Sequence, residues 1–318
     1  MTAAFVFPGQ GSQSVGMGKA LADASPAAAA VFAEVDEALG EKLSATMWDG
    51  PEDALTLTRN AQPALMAVSI AAVRAVGERF GPLDGLAAYL AGHSLGEYSA
   101  LAAAGSLSLA DTARLLRLRG DAMQRAVPAG AGGMAAVIGL DPAEVRAVAE
   151  AAAEGEVCAV ANDNGGGQLV LSGSAAAIAR AIDLAKARGA KRVVPLPVSA
   201  PFHCRLMAPA AEEMAEALSK VSIAAPSVPV VANVTARPYA DVVEIRSRLV
   251  EQVTGMVRWR ESVDWMAAAG VDRFVEVGSG KVLAGLIRRI AANVETVSVG
   301  APGDLDGLAE RLKGVGNA

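Results

Sequence analysis

A serine with a glycine two residues to either side, Gly92-His93-Ser94-Leu95-Gly96, is the pattern in this sequence best suited to nucleophilic chemistry. Glycines at those positions permit a sharp strand-to-helix turn that leaves the hydroxyl exposed, with helix-start amides able to face a developing oxyanion. The apolar run 86–91 predicts the strand, and 95–104 predicts the helix. A serine hydroxyl needs a base, and the chain has two histidines. His203 lies outside the turn and is the candidate. His93, immediately before the serine, should point its ring away from the hydroxyl and serve structure.

The segment 108–126 predicts a helix with Ser108 as N-cap and Asp111 in the capping-box position. Arg119 falls on its apolar side, among Leu115, Leu116, Ala122 and Met123. Two readings stay open. The side chain can snorkel from the edge of the stripe, or a buried guanidinium can receive a substrate carboxylate through two parallel hydrogen bonds.

Nucleotide motifs fail on spacing. Gly9-Gln10-Gly11 has Ser14 where a dinucleotide fingerprint needs its third glycine, and neither Gly18-Lys19 nor Gly280-Lys281 completes a phosphate loop. The Gly9-Gln10-Gly11 loop is instead expected to bring backbone amides near the reacting carbonyl.

The elements that must position these groups alternate strand and helix. Apolar runs at 3–7, 86–91, 228–233 and 274–277 each feed a loop and then helix-like sequence, which predicts a mostly parallel sheet covered on both faces. The middle of the chain reads as β-α-β-β-α-β, with strands at 134–140, 157–162, 168–172 and 192–198, the ferredoxin-like order. The expected organisation is a large α/β-hydrolase-like catalytic domain from 1–128 and 199–318, with a small ferredoxin-like domain, 129–198, inserted.

Composition limits the rest. The chain has 318 residues, 53% of them hydrophobic, enough apolar side chain for one large core or two moderate ones. A net charge of −6 disfavours nucleic acid as a partner. The N-terminus lacks a signal-peptide pattern and no stretch could span a bilayer, so a cytoplasmic, membrane-free protein is expected. Cys158 and Cys204 are expected as reduced thiols, and two histidines supply a metal site poorly.

Several motifs in order add up to a family likeness that covers nearly the whole chain. They are Phe7-Pro8-Gly9-Gln10-Gly11-Ser12-Gln13, Gln62-Pro63-Ala64-Leu65, Gly92-His93-Ser94-Leu95-Gly96-Glu97-Tyr98, Leu118-Arg119-Gly120, Ser199 to Cys204, Gln252 and Glu276-Val277-Gly278. The sequence resembles the malonyl-CoA:acyl-carrier-protein transacylases of fatty acid biosynthesis. That resemblance implies Ser94 as the acyl-accepting nucleophile, His203 as its base and Arg119 as partner of the malonyl carboxylate. It implies Gln10 and Leu95 as backbone oxyanion donors and Gln252 as the residue whose main-chain carbonyl orients the histidine. Gln62, Asn162 and Phe202 would line the pocket. The implied chemistry is ping-pong, from malonyl-CoA to Ser94 and then to the phosphopantetheine thiol of acyl carrier protein, with no resident cofactor and a monomeric enzyme. An acidic carrier would need a basic patch, for which Lys186, Arg188, Lys191 and Arg192 are candidates. The run Asn162-Asp163-Asn164-Gly165-Gly166-Gly167 departs from relatives that often carry a Ser-Pro pair after the second asparagine.

Two rival classes have their own signatures. An α/β-hydrolase would complete Ser94 and His203 with an intervening acid such as Asp183, and would release free acid. A non-catalytic carrier-binding relative would not become acylated.

Overall fold

The structure is a computed structural model that describes residues 2–198 and 200–312. Ser199, at the expected domain boundary and in one quoted motif, lies outside the described residues. The described strands are β1 (Ala3–Phe7), β2 (Tyr89–Gly92), β3 (Gly132–Ile138), β4 (Cys158–Asp163), β5 (Gln168–Ser174), β6 (Arg192–Pro195), β7 (Val230–Val231), β8 (Arg273–Val277) and β9 (Glu295–Val299).

Five of them form a parallel sheet in the order β7-β2-β1-β8-β9, with β1 between β2 and β8. Its central strands, β1, β2 and β8, are buried on both faces, as helix-covered parallel strands must be. Along β1, Ala3, Phe5 and Phe7 enter the larger core, while Ala4 and Val6 enter a second core with Val231, Trp259 and Phe274. Such strands cannot show a polar-apolar alternation, which is why they read as short continuous apolar runs.

The other four strands form an antiparallel sheet in the order β4-β5-β3-β6, with the Pro142–Ala153 and Ala175–Ala187 helices as its crossovers. This is the expected ferredoxin-like topology. The Pro142–Ala153 helix begins on a complete capping box between Asp141 and Glu144, with proline in its first turn.

Several element bounds differ from the sequence expectation for local reasons. β2 starts only at Tyr89, because Leu83–Gly85 makes a 3₁₀ turn and Leu86 remains helical. β7 is two residues long instead of six: Pro229 has no N–H to give, and the Asn233 amide donates to the Glu97 carboxylate instead of to a strand. β6 stops at Pro195. β9 has no counterpart in the sequence reading; it is a half-buried edge strand with a weak apolar pattern. Ser108 caps the Leu109–Arg125 helix as expected, but Asp111 takes the Ser108 hydroxyl proton rather than closing a reciprocal box.

Candidate active site

The loops after β1, β2 and β7 leave the same edge of the parallel sheet, the carboxyl edge at which open α/β sheets bind ligands. After β2 the chain turns so tightly that Ser94 adopts φ 53°, a left-handed conformation rare for a side-chain-bearing residue. The flanking glycines are obligatory there. A Cβ on Gly92 would strike the backbone of Gly96, and one on Gly96 would strike the carbonyl of Phe7. Asn233 fastens the turn from outside: its Oδ1 accepts from the Ser94 amide at 2.8 Å and its Nδ2 donates to the Gly92 carbonyl at 2.6 Å.

Ser94 Oγ lies 2.8 Å from Nε2 of His203, and His203 Nδ1 lies 2.9 Å from the main-chain carbonyl of Gln252. A carbonyl can only accept, so Nδ1 carries the proton and Nε2 presents a lone pair to the serine hydroxyl. Burial first, and then the Arg119 charge, lowers the His203 pKa to about 3. The imidazole is therefore neutral, and competent as a base, across the physiological range. Like Ser94, His203 has positive φ, 57°.

Arg119 does not snorkel. It is 1% exposed, and both terminal nitrogens of its guanidinium are engaged inside the protein. Nη1 donates to Gln62 Oε1 at 2.8 Å, and Nη2 to Gln252 Oε1 at 2.8 Å and to Ser94 Oγ at 3.1 Å. The ring of Tyr98 lies beneath it, with the guanidinium carbon 5.7 Å from the ring centroid. A cationic fork thus sits beside the nucleophile in a cleft of about 340 Å³ whose lining includes Gln10, Leu95, Asn162 and Phe202. Gln62, Met134 and the segment 196–198 complete its walls, the last two belonging to or following strands of the antiparallel sheet. The candidate catalytic, oxyanion and pocket residues meet here, Gln252 through its contacts with His203 and Arg119.

His93 turns away from the serine. Its Nε2 is 2.9 Å from Oδ1 of Asn164, and its ring packs on Trp259, so it links the elbow to the loop after β4. That contact gives the divergent 162–167 loop a defined partner. The acid named for a hydrolase-like triad is engaged elsewhere: Asp183 is exposed and pairs with Lys186, and Asp163, nearer the cleft, pairs with Arg260.

Four participants escaped sequence reasoning. Glu97 and Tyr98 stand in a quoted motif without a role, Asn233 was read as the end of a strand, and Tyr239 was not noticed. Glu97 is 0% exposed; its Oε2 accepts from Gln252 Nε2 at 2.7 Å and from the Asn233 amide at 3.1 Å, while its Oε1 accepts from the Tyr239 hydroxyl. Burial lifts the Glu97 carboxyl to about 7 against the opposing pull of these donors and of Arg119. The side chain of Gln252 was also missed, since only its main chain was assigned a part. A signal existed: a polar residue at the third helical position after an elbow serine has few directions to point except back beneath the turn.

Among the described residues no group of histidine, cysteine and acidic side chains could hold a metal ion, and no helix is long and apolar enough to cross a membrane. An elbow serine paired with a neutral histidine is the apparatus of acyl transfer, and the acyl transferase domain model matches residues 4–301. The malonyl CoA-acyl carrier protein transacylase of Escherichia coli K12 is 47% identical over 310 residues, covering 98% of both chains. The structure of an acyl-carrier-protein-S-malonyltransferase from Bartonella henselae superposes with a TM-score of 0.96 at 54% identity, covering 98% of this chain and 100% of that one. A malonyl-transacylase solved in complex with a type II PKS acyl-carrier protein matches with a TM-score of 0.94 at 41% identity, covering 98% of this chain and 100% of that one. The chain belongs to the malonyl CoA-acyl carrier protein transacylase family.

Proposed function

We propose that this protein transfers a malonyl group from coenzyme A to the phosphopantetheine thiol of an acyl carrier protein, through an ester on Ser94, as a step of fatty acid biosynthesis in the cytoplasm. The observation that carries this reading is the convergence of neutral His203 and the buried Arg119 fork on Ser94 Oγ, each within hydrogen-bond distance of it. His203 Nε2 takes the serine proton as Oγ attacks the malonyl thioester carbon, the C–S bond breaks, and the CoA thiolate leaves with that proton. The carrier thiol then repeats the sequence in reverse and regenerates the serine. The Ser94 amide is already committed to Asn233, so the oxyanion falls to the next amide, that of Leu95, together with Gln10.

His203 is oriented by a neutral carbonyl rather than a carboxylate. A carbonyl stabilises imidazolium less, and a thiol acceptor demands less base assistance than water does. Arg119 selects for a carboxylate on the acyl group. The division into a catalytic domain of 1–128 and 199–318 and an inserted domain of 129–198 is supported by the strands: the parallel sheet draws only on the former and the antiparallel sheet only on the latter. We propose a monomer, in which Ser94, His203, Arg119 and Gln252 of one chain suffice to complete the site.

The test is intact-mass measurement after mixing with malonyl-CoA, acetyl-CoA and methylmalonyl-CoA. A malonyl increment that persists until a carrier thiol is added is expected. Rapid loss of the increment to water would favour a hydrolase, and no increment at all would favour a non-catalytic carrier-binding protein.

A further inference from the structure

Arg119 is a buried cation in a site that is empty of substrate for part of every cycle, and an uncompensated buried charge is costly. Its hydrogen-bond acceptors are neutral: two glutamine amides and one hydroxyl. A compensating charge lies one group further away. The Gln252 amide accepts from Arg119 with its oxygen, at 2.8 Å, and donates to Glu97 with its nitrogen, at 2.7 Å. A guanidinium can only donate and an ionised carboxylate can only accept, so an amide between them has one permitted orientation. The same nitrogen also reaches the Ser94 carbonyl at 2.9 Å, which pins the amide beneath the elbow.

We propose that Glu97 is the resting counter-charge of Arg119, coupled to it through the Gln252 side-chain amide, and that this amide-bridged ion pair sets how strongly the site prefers an acyl group bearing a carboxylate. The inference rests on the malonyl-transfer reading above and adds to it a residue that tunes selectivity without touching substrate. When a malonyl carboxylate arrives, Arg119 faces two anions instead of one, so an ionised Glu97 weakens the grip on malonyl. Such weakening suits a nearly balanced thioester exchange. Tight binding of the acyl-enzyme ground state would slow its discharge to the carrier.

The sign distinguishes this role from simple support of the fold, because damage to the fold cannot improve selectivity. Glu97→Gln removes the charge while its amide oxygen can still accept from Gln252 Nε2 and the Asn233 amide, and its NH₂ can face the Tyr239 hydroxyl. The ratio of kcat/KM for acylation by malonyl-CoA over acetyl-CoA should rise about tenfold, the scale of two like charges roughly 12 Å apart, across Arg119 and Gln252, at an effective dielectric near 20. The gain should come through a lower malonyl-CoA KM, with a longer-lived malonyl-enzyme.

Wild type should show the same change with pH. The titratable or charged groups facing Glu97 are Tyr239, Tyr98 and Arg119, with Glu244 acting on Tyr239 from the helix surface. Tyr98 is pushed up to about 12, Tyr239 well above its ordinary value, and His203 stays neutral down to about 3. Glu97, at about 7, is left to titrate near neutrality. It loses its charge as pH falls through that value, so the malonyl-to-acetyl ratio should climb on acidification in wild type and stay flat in Glu97→Gln. Tyr239→Phe removes one donor to the carboxylate and should move the midpoint of the climb to higher pH. That variant, with the wild-type profile, decides the matter if Glu97→Gln melts too low for assay. A ratio that is unchanged or lower in folded Glu97→Gln, or a wild-type ratio indifferent to pH, overturns the proposal. Wild type that malonyl-CoA fails to acylate overturns the functional reading itself, a separate outcome.

Discussion

The two sheets meet at one cleft but give it different things. The parallel sheet supplies strained backbone, a buried cation and a polar network that crosses from the elbow to the Val242–Thr254 helix. The antiparallel sheet supplies walls: Met134, Asn162 and the segment after β6. A parallel sheet whose strand ends open on one edge can aim several loops at one point. An antiparallel sheet spends its strand ends on hairpins and crossovers and offers a surface instead. Chemistry on one sheet and enclosure on the other is the division that the following predictions test.

The largest effect should come from the elbow. Ser94→Ala should abolish the malonyl adduct seen by intact mass, and an increment surviving at comparable yield would move the nucleophile elsewhere. Next is the receptor. Arg119→Ala should lower kcat/KM for malonyl-CoA by very roughly a hundred- to several-thousand-fold, the loss of one partner of a buried pair, while transfer of acetyl is kept or gained. Arg119→Lys should recover only part, because an ammonium lacks the planar fork. A folded Arg119→Ala protein that still prefers malonyl would place the carboxylate receptor on the wall side after all.

A smaller effect concerns pH. His203 is held neutral to about 3, so the malonylation rate should not fall as pH drops from about 8 through the ordinary imidazole value near 6.5. A loss centred near that value would show a base that titrates as if solvated. The smallest effect belongs to the antiparallel sheet. Lys191 and Arg192 are exposed at the start of β6, and reversing both to Glu should raise the apparent KM for carrier protein several-fold while leaving that for malonyl-CoA nearly unchanged. Equal effects on both substrates, or none, would remove this edge from carrier docking.

What the sequence disclosed follows the same division. The elbow was legible because its strain demands glycine at fixed spacing, and Arg119 because a charge stood in an apolar stripe. His203 emerged from scarcity, there being two histidines. The ferredoxin-like sheet was legible from the β-α-β-β-α-β order of its apolar runs. Asn233 and the Gln252 side chain were not, since each acts through partners 19 to 158 residues away, and Glu97 had only its place at the third position of the elbow helix to mark it. β9 was missed because an edge strand that is only half buried has little apolar periodicity to detect.

The central place of β1 governs how the protein must be made. Ala4 to Phe7 pair with β2 on one side and Ala3 to Val6 pair with the 273–276 segment of β8 on the other, so the earliest described strand waits for one of the last. At the usual 5–20 residues per second, the interval between emergence of β2 and of β8 is on the order of ten to forty seconds. For that time a fully apolar strand has one unpaired edge, the kind of surface that recruits chaperones or other nascent chains. The loop that carries Gln10 is held from the far side by the segment after β8, where the Ser279 hydroxyl donates to the Ser12 carbonyl at 2.6 Å. The acyl-transfer site is therefore among the last parts of the molecule to form, and a ribosome-bound fragment lacking β8 should have no capacity to consume malonyl-CoA.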